Sequence, residues 1–173
     1  MIPDFTSSLL VLGGARSGKS RFAQATAEAF PANLVYIATA QAFDAEMTDR
    51  ITRHRNDRGP RWHTVEAPLD LADAIRAHSK PATVILVDCL TLWASNLMFA
   101  ERDIPTETTA LAAAIAAVPG RIIVVSNEVG LGIVPGNALA RQFRDVAGDI
   151  NQAIARVAER AVFVVSGLPM LLK

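Results

Sequence analysis

The sequence predicts a three-layer α/β fold, a mostly parallel central sheet with helices on both faces. Three observations carry that expectation. First, short apolar runs recur along the chain: Leu9-Leu10-Val11-Leu12, Leu34-Val35-Tyr36-Ile37-Ala38, Val84-Ile85-Leu86-Val87-Asp88, Ile122-Ile123-Val124-Val125 and Val162-Phe163-Val164-Val165. The last four show no period-2 alternation, as expected of strands covered on both faces. Second, helical patterns lie between them. Third, Gly13-Gly14-Ala15-Arg16-Ser17-Gly18-Lys19-Ser20 sits between the first strand and a following helix.

Taken in order, the first strand feeds that glycine loop, and Arg21 to Glu28 lacks Gly and Pro and reads as a helix. A weaker strand is expected at Trp62-His63-Thr64-Val65-Glu66. The stretch Ala82 to Ala100 is interrupted by Asp88 and Asn96, so it reads as strand plus helix and not as a membrane span. Thr106 and Asn137 read as helix starts, with Pro105 and Pro135 as punctuation. From Asn137 to about Arg160 a stripe of Leu139, Phe143, Val146, Ile150, Ile154 and Val157 marks a long core-facing helix. No repeat, low-complexity tract or linker appears, and 173 residues are expected to form one domain over 1–173.

The glycine loop is the feature with chemical content. It satisfies G-x-x-x-x-G-K-[ST], and backbone N–H groups before a helix N-terminus form an anion site, reinforced by the helix dipole. Lys19 is expected to reach the β and γ phosphates of a nucleoside triphosphate and Ser20 to be a ligand of Mg2+. Gly13 and Gly18 are expected to be glycine so that no side chain holds the phosphates off the backbone. Asp88 ends the most apolar strand, where its carboxylate emerges at the carboxyl edge as a second Mg2+ partner. The competing role for Asp88 is capping of a helix beginning near Thr91. Asp145-Val146-Ala147-Gly148 matches a GTPase switch pattern but falls inside the long helix, and no N-K-x-D element is present, so a regulatory GTPase is disfavoured.

Composition narrows the classes further. Seventeen basic and seventeen acidic residues balance, so nothing argues for nucleic acid or an anionic membrane as partner. Only three residues are lysines, at 19, 80 and 173. The single Cys89 excludes an internal disulfide and reads as a small buried thiol. No secretory signal pattern follows Met1, and a cytoplasmic protein is expected.

A second concentration of information runs from Asp44, a helix N-cap, to Arg61. Met47, Ile51, His54 and Arg58 share one helix face, flanked by i,i+4 pairs such as Glu46/Arg50 and Asp49/Arg53. On spacing alone His54 reads first as a partly buried histidine satisfied by a neighbour. Arg50, Arg53, Arg55, Arg58 and Arg61 crowd it in a chain of zero net charge, which suits a polyphosphate. An imidazole of ordinary pKa ~6.5 is largely neutral and nucleophilic near pH 7.5.

The loop G-G-A-R-S-G-K-S, Y-I-A-T-A, E-M-x-x-R-I-x-x-H-R-x-x-R, W-x-T-V-E, V-D-C-L-T-L-W-x-S-N-L and S-N-E-V-G-L-G-I-V-P together resemble the bifunctional adenosylcobinamide kinase/adenosylcobinamide-phosphate guanylyltransferase family of cobalamin biosynthesis. The resemblance runs from Leu9 to Lys173. It implies a P-loop NTPase (RecA-like) fold and a homotrimer with its nucleotide near a subunit interface. It also implies phosphorylation of adenosylcobinamide by ATP or GTP, then transfer of GMP from GTP to adenosylcobinamide phosphate. By the same resemblance His54 accepts GMP, and Gly13, Gly14, Ala15, Arg16, Ser17, Gly18, Lys19 and Ser20 bind nucleotide. Ala38-Thr39-Ala40, Arg55, Asn56, Asp57, Arg58, Glu66 and Asp88 match further nucleotide contacts. Ala67 and Gly136 stand where the family commonly has acids, and Gly136 is expected to loosen the loop beginning at Val129. Glu128 is a candidate for positioning substrate or acting as base, with a structural role equally open. A kinase without guanylyl transfer and a non-enzymatic nucleotide-dependent module are the rival readings.

Overall fold

The computed structural model describes residues 5–40 and 59–173. They build one seven-stranded sheet in the order β3-β2-β4-β5-β1-β6-β7. The strands are β1 (Ser8–Gly13), β2 (Asn33–Ala38), β3 (Trp62–Glu66), β4 (Thr83–Asp88), β5 (Arg121–Asn127), β6 (Arg160–Val165) and β7 (Leu168–Leu171). All neighbouring pairs are parallel except β6 with β7. The helices are α1 (Lys19–Glu28), α2 (Leu71–His78), α3 (Leu90–Phe99), α4 (Ile104–Ala116) and α5 (Ala138–Val157).

The apolar runs lack alternation because both faces of the sheet are covered. Leu10, Ile85, Val87, Ile122 and Val124 point into a cluster closed by Leu71 and Ile75 of α2, Trp93 and Leu97 of α3, Leu111 and Ile115 of α4, and Ile150 and Ile154 of α5. Leu9, Val11, Leu86, Ile123, Val125 and Val162 point the other way, onto Phe5 and onto Ala23 and Ala27 of α1. Small residues on α1 let that helix lie close to the sheet, which fixes the height of its N-terminus against the end of β1.

Among the described residues the expected elements are present, with four differences. The long helix starts as expected, with Asn137 Oδ1 accepting from Ala140 N at 2.7 Å, but ends at Val157, and Arg160 opens β6 instead. The Lys173 ammonium stops it, donating to the carbonyls of Ala155, Arg156 and Ala158 where a cation complements the helix dipole. Helix α4 starts before Thr106. Asp103 is the cap, accepting from Thr106 N at 3.2 Å, and Pro105 sits in the first turn, where its missing N–H has no partner to lose. Strand β7, which contains Pro169, has no counterpart among the strands expected from the sequence. As an edge strand paired only with β6, it tolerates the proline. Helix α2 was not anticipated either, since eight residues are too few to display a clear stripe.

At the end of the molecule opposite the carboxyl edge, Glu159 ties the chain start to the α5–β6 turn. Its Oε2 accepts from the backbone N–H and hydroxyl groups of both Thr6 and Ser7 at 2.8–3.1 Å. Desolvation pushes this carboxyl upward, but the four hydrogen bonds outweigh it and hold its pKa at about 2. A lowered folded-state pKa gives stability present above the ordinary value of 4.5 and lost as pH falls toward 2. Glu159→Gln is therefore expected to be less stable than wild type at neutral pH and to show a flatter loss of stability between those values. Urea titrations from pH 7 to 2.5 check this, and parallel pH profiles in the two proteins contradict it.

Candidate nucleotide site

At the carboxyl edge β1 ends at Gly13 and the loop turns into α1 at Gly18. Gly18 is the N-cap, with φ +94°, a left-handed conformation costly for any residue with a Cβ. Packing adds a requirement at Gly13: a Cβ there would lie 2.8 Å from the Val164 carbonyl oxygen and 2.5 Å from Ser17 Oγ.

The loop is held by its neighbours. The Glu128 N–H donates to the Gly13 carbonyl at 3.1 Å, the Ser17 N–H to the Gly14 carbonyl at 3.3 Å, and the Gly167 N–H to the Ser17 carbonyl at 2.7 Å. Gly167 belongs to the two-residue turn between β6 and β7, where Ser166 and Gly167 both have positive φ, as a tight hairpin turn requires. This buttress was missed in the sequence, although the Ser166-Gly167 dipeptide is a turn signal. The side chain of Lys19, largely buried, runs back over the loop so that Nζ donates to the Gly14 carbonyl at 3.2 Å. Ser20 lies in the first turn of α1 and is half-buried.

Asp88 ends β4, in register with Val125 of β5, which in turn pairs with Val11 of β1. One strand therefore separates it from the loop strand, about 10 Å across the sheet at two strand spacings. Helix α3 begins at Leu90 with Cys89 as N-cap, so Asp88 stands one residue before the cap position. Burial, with Asp88 beside it, pushes the Cys89 thiol up, so it stays protonated and serves as packing.

Of the residues matched to a nucleotide-contacting turn, Thr39 is fully buried. Its hydroxyl donates to the Cys89 carbonyl at 2.7 Å and accepts from the Cys89 N–H at 2.8 Å. Asn96 Nδ2 donates to the Thr39 carbonyl at 2.8 Å and to the Pro68 carbonyl at 2.9 Å. The Thr39 side chain is thus a clamp on the chain just after Asp88. Ala38 and Ala40 flank it half-buried, and Glu66 is exposed at the end of β3, in register with Ala38.

Glu128 Oε1 accepts from the Gly130 N–H, so this carboxylate shapes its own turn. At Gly136 the segment is tied to α5: Arg141 Nη1 donates to the carbonyls of Pro135 and Gly136, both at 2.9 Å. Three buried polar atoms lack a partner among the described residues: Ser17 Oγ, Ser126 Oγ and Asn151 Oδ1. Ser17 is in the loop, Ser126 pairs in register with Leu12, and Asn151 Nδ2 donates to the carbonyl of Asn127, the register partner of Gly13. An unpaired buried polar atom costs about 1–3 kcal/mol. All three collect at the edge where a polar ligand belongs.

His54, Arg55, Asn56, Asp57 and Arg58, with Asp44, Met47, Arg50, Ile51 and Arg53, lie outside the described residues. Of the five arginines expected around His54, Arg61 alone lies among the described residues. It follows Gly59 in a turn, and its guanidinium donates to the carbonyls of Glu28 and Phe30 at the C-terminal end of α1.

Comparison with known proteins decides the family. The model for cobinamide kinase / cobinamide phosphate guanyltransferase matches residues 9–172. This chain belongs to that family. It is 49% identical over 166 residues to the bifunctional adenosylcobalamin biosynthesis protein CobP of Pseudomonas aeruginosa, covering 95% of this chain and 96% of the relative. It is 42% and 41% identical, over 180 residues each, to the proteins named CobU in Salmonella typhimurium and Escherichia coli, covering 95% of this chain and 99% of each relative. Among solved structures, a type III secretion ATPase superposes with a TM-score of 0.54 at 12% identity, over 91% of this chain and half of that one. A structurally studied protein of Pyrococcus horikoshii also superposes at 0.54, with 8% identity over 96% of this chain and 86% of that one. Those two likenesses concern the fold alone, and the one to the ATPase agrees with the P-loop NTPase class expected from the sequence.

The Thr39 clamp predicts a contrast between two substitutions. Thr39→Val keeps the shape but leaves the Cys89 N–H and carbonyl unpaired, and is expected to destabilise by about 2–3 kcal/mol. Thr39→Ser keeps the hydroxyl and is expected to cost less than about 1 kcal/mol. Urea denaturation measures both, and equal losses contradict the clamp.

Proposed function

We propose that this chain phosphorylates adenosylcobinamide and then transfers GMP from GTP to adenosylcobinamide phosphate, as one kinase/guanylyltransferase unit. The observation that carries the reading is the complete phosphate loop, fixed by Glu128 and Gly167 and overlaid by Lys19, in a chain whose residues 9–172 match the family. In the first reaction the acceptor hydroxyl oxygen bonds to the γ-phosphorus, the bond to the β,γ-bridging oxygen breaks, and the nucleoside diphosphate and the hydroxyl proton leave. Lys19, the loop N–H groups and the α1 dipole hold the phosphates in line while charge spreads over them.

Two oxygen donors, Ser20 and Asp88, fit Mg2+, which takes few protein ligands when phosphates and water supply the rest. When bound, the ion neutralises phosphate charge in the transferring group. Thr39 and Asn96 keep the chain beside Asp88 in place for that role.

In the second reaction a ring nitrogen of His54 attacks the α-phosphorus of GTP and expels pyrophosphate. The phosphate of adenosylcobinamide phosphate then displaces the imidazole, giving adenosylcobinamide-GDP. The assignment of His54, with Arg55, Asn56, Asp57 and Arg58 beside it, rests on the family pattern. The same resemblance supports a homotrimer and a cytoplasmic setting; among the described residues no helix is long and apolar enough to cross a membrane.

GTP labelled at the α-phosphate tests the reading. The protein alone is expected to become labelled and release pyrophosphate, with an acid-labile, base-stable linkage. His54→Ala is expected to lose the label and guanylyl transfer while retaining adenosylcobinamide phosphorylation, and His63→Ala and His78→Ala are expected to label normally. Undiminished labelling of His54→Ala refutes the acceptor assignment.

A companion measurement addresses Asp88. Asp88→Asn is expected to lower metal affinity by about 10–100-fold, the range for loss of a metal-orienting partner. Its kinase rate is then partly restored at high Mg2+, whereas an unchanged Mg2+ dependence removes Asp88 from the metal site.

A further inference from the structure

Leu131, Ile133 and Val134 are 81%, 97% and 62% exposed on the segment joining β5 to α5. Neither end of that segment is free. At its start Glu128 is bonded through its N–H to Gly13 of the phosphate loop and through its carboxylate to Gly130. At its end Arg141 grips the carbonyls of Pro135 and Gly136, and Asn137 caps α5. Three apolar side chains are therefore presented on a fixed frame that begins at the phosphate site. Among the described residues, no hydrogen bond within the chain engages the backbone of Gly132, Ile133 or Val134, so unpaired amide groups lie between the apolar side chains.

The acceptor of a phosphoryl group must bring its hydroxyl in line with the γ-phosphate, so the rest of the acceptor lies on the surface beside the loop. Cobinamide is a broad macrocycle with apolar faces and a rim of uncharged amide side chains. A surface for it needs apolar contact interleaved with backbone donors and acceptors, and no charge to desolvate. Val129-Gly130-Leu131-Gly132-Ile133-Val134 has that character and is continuous with the phosphate site. We propose that this segment is the bed on which the corrin ring of the acceptor rests in both reactions. The inference depends on the cobinamide reading above and adds the residues that contact the ring.

The test uses full-length protein and adenosylcobinamide. Leu131→Ser and Ile133→Ser are each expected to raise the KM for adenosylcobinamide about tenfold, which is about 1.4 kcal/mol. The kcat and the affinity for ATP are expected to stay unchanged. Equilibrium dialysis, read by the visible absorption of the corrinoid, is expected to show the same weakening. In wild type, hydrogen exchange is expected to slow at residues 130–134 when adenosylcobinamide is added, with the sedimentation coefficient unchanged. Unaltered corrinoid affinity in both variants, or no protection of 130–134, overturns the proposal. Loss of assembly in the variants at unaltered corrinoid affinity assigns the segment to a contact between copies of the chain and also overturns it. A wild-type protein that binds no corrinoid overturns both this proposal and the reading on which it rests.

Discussion

The hydrogen bond from the Gly167 N–H to the Ser17 carbonyl joins the last turn of the sheet to the phosphate loop across 150 residues of sequence. With the Glu128 N–H on the Gly13 carbonyl, it fixes the loop from two sides. The backbone N–H groups, the α1 N-terminus and Lys19 then share one orientation before any ligand arrives. The constraint reaches into the core. Gly13 has room only for hydrogen above the Val164 carbonyl, and Ala23 and Ala27 set α1 close to the sheet. Loop, helix and two strands therefore stand or fall together.

A second constraint works at the neighbouring strands. Thr39 and Asn96 spend their polar atoms on the backbone around Cys89 and Pro68, buried where an unmade bond is expensive. Their effect is felt at Asp88, one strand removed from the loop strand. The two constraints divide the labour: one orients groups toward the phosphates, the other holds the chain beside Asp88 in place. Neither requires the bases, which is consistent with a family that uses nucleotides in two different reactions.

What could be read from the sequence was what depends on near neighbours. The glycine loop, the five apolar strands, the α5 cap at Asn137 and the dismissal of Asp145–Gly148 as part of a helix all rest on residues within a few positions of one another. What escaped depends on distant partners. The α5 end is set by Lys173, the β7 strand by pairing that accommodates Pro169, and the burial of the Thr39 hydroxyl by Cys89, fifty residues on. The bonds of the Arg61 guanidinium to the carbonyls at the end of α1, about thirty residues back, were likewise not legible. The functional assignment was legible for a different reason, a set of motifs spread over the whole chain, and the match over residues 9–172 agrees with it.

The central claim is that a preformed loop, with the Lys19 side chain running back over it, is the phosphate site. Replacing Lys19 by alanine tests it most directly, with melting temperatures recorded with and without ATP. The account predicts an unliganded Tm within about 4 °C of wild type, because the frame is held by Glu128 and Gly167. It also predicts loss of the ATP-induced rise in Tm, which in wild type is worth about 2.7 kcal/mol at a hundredfold excess over Kd. A Lys19→Ala protein that ATP stabilises as strongly as wild type would contradict it.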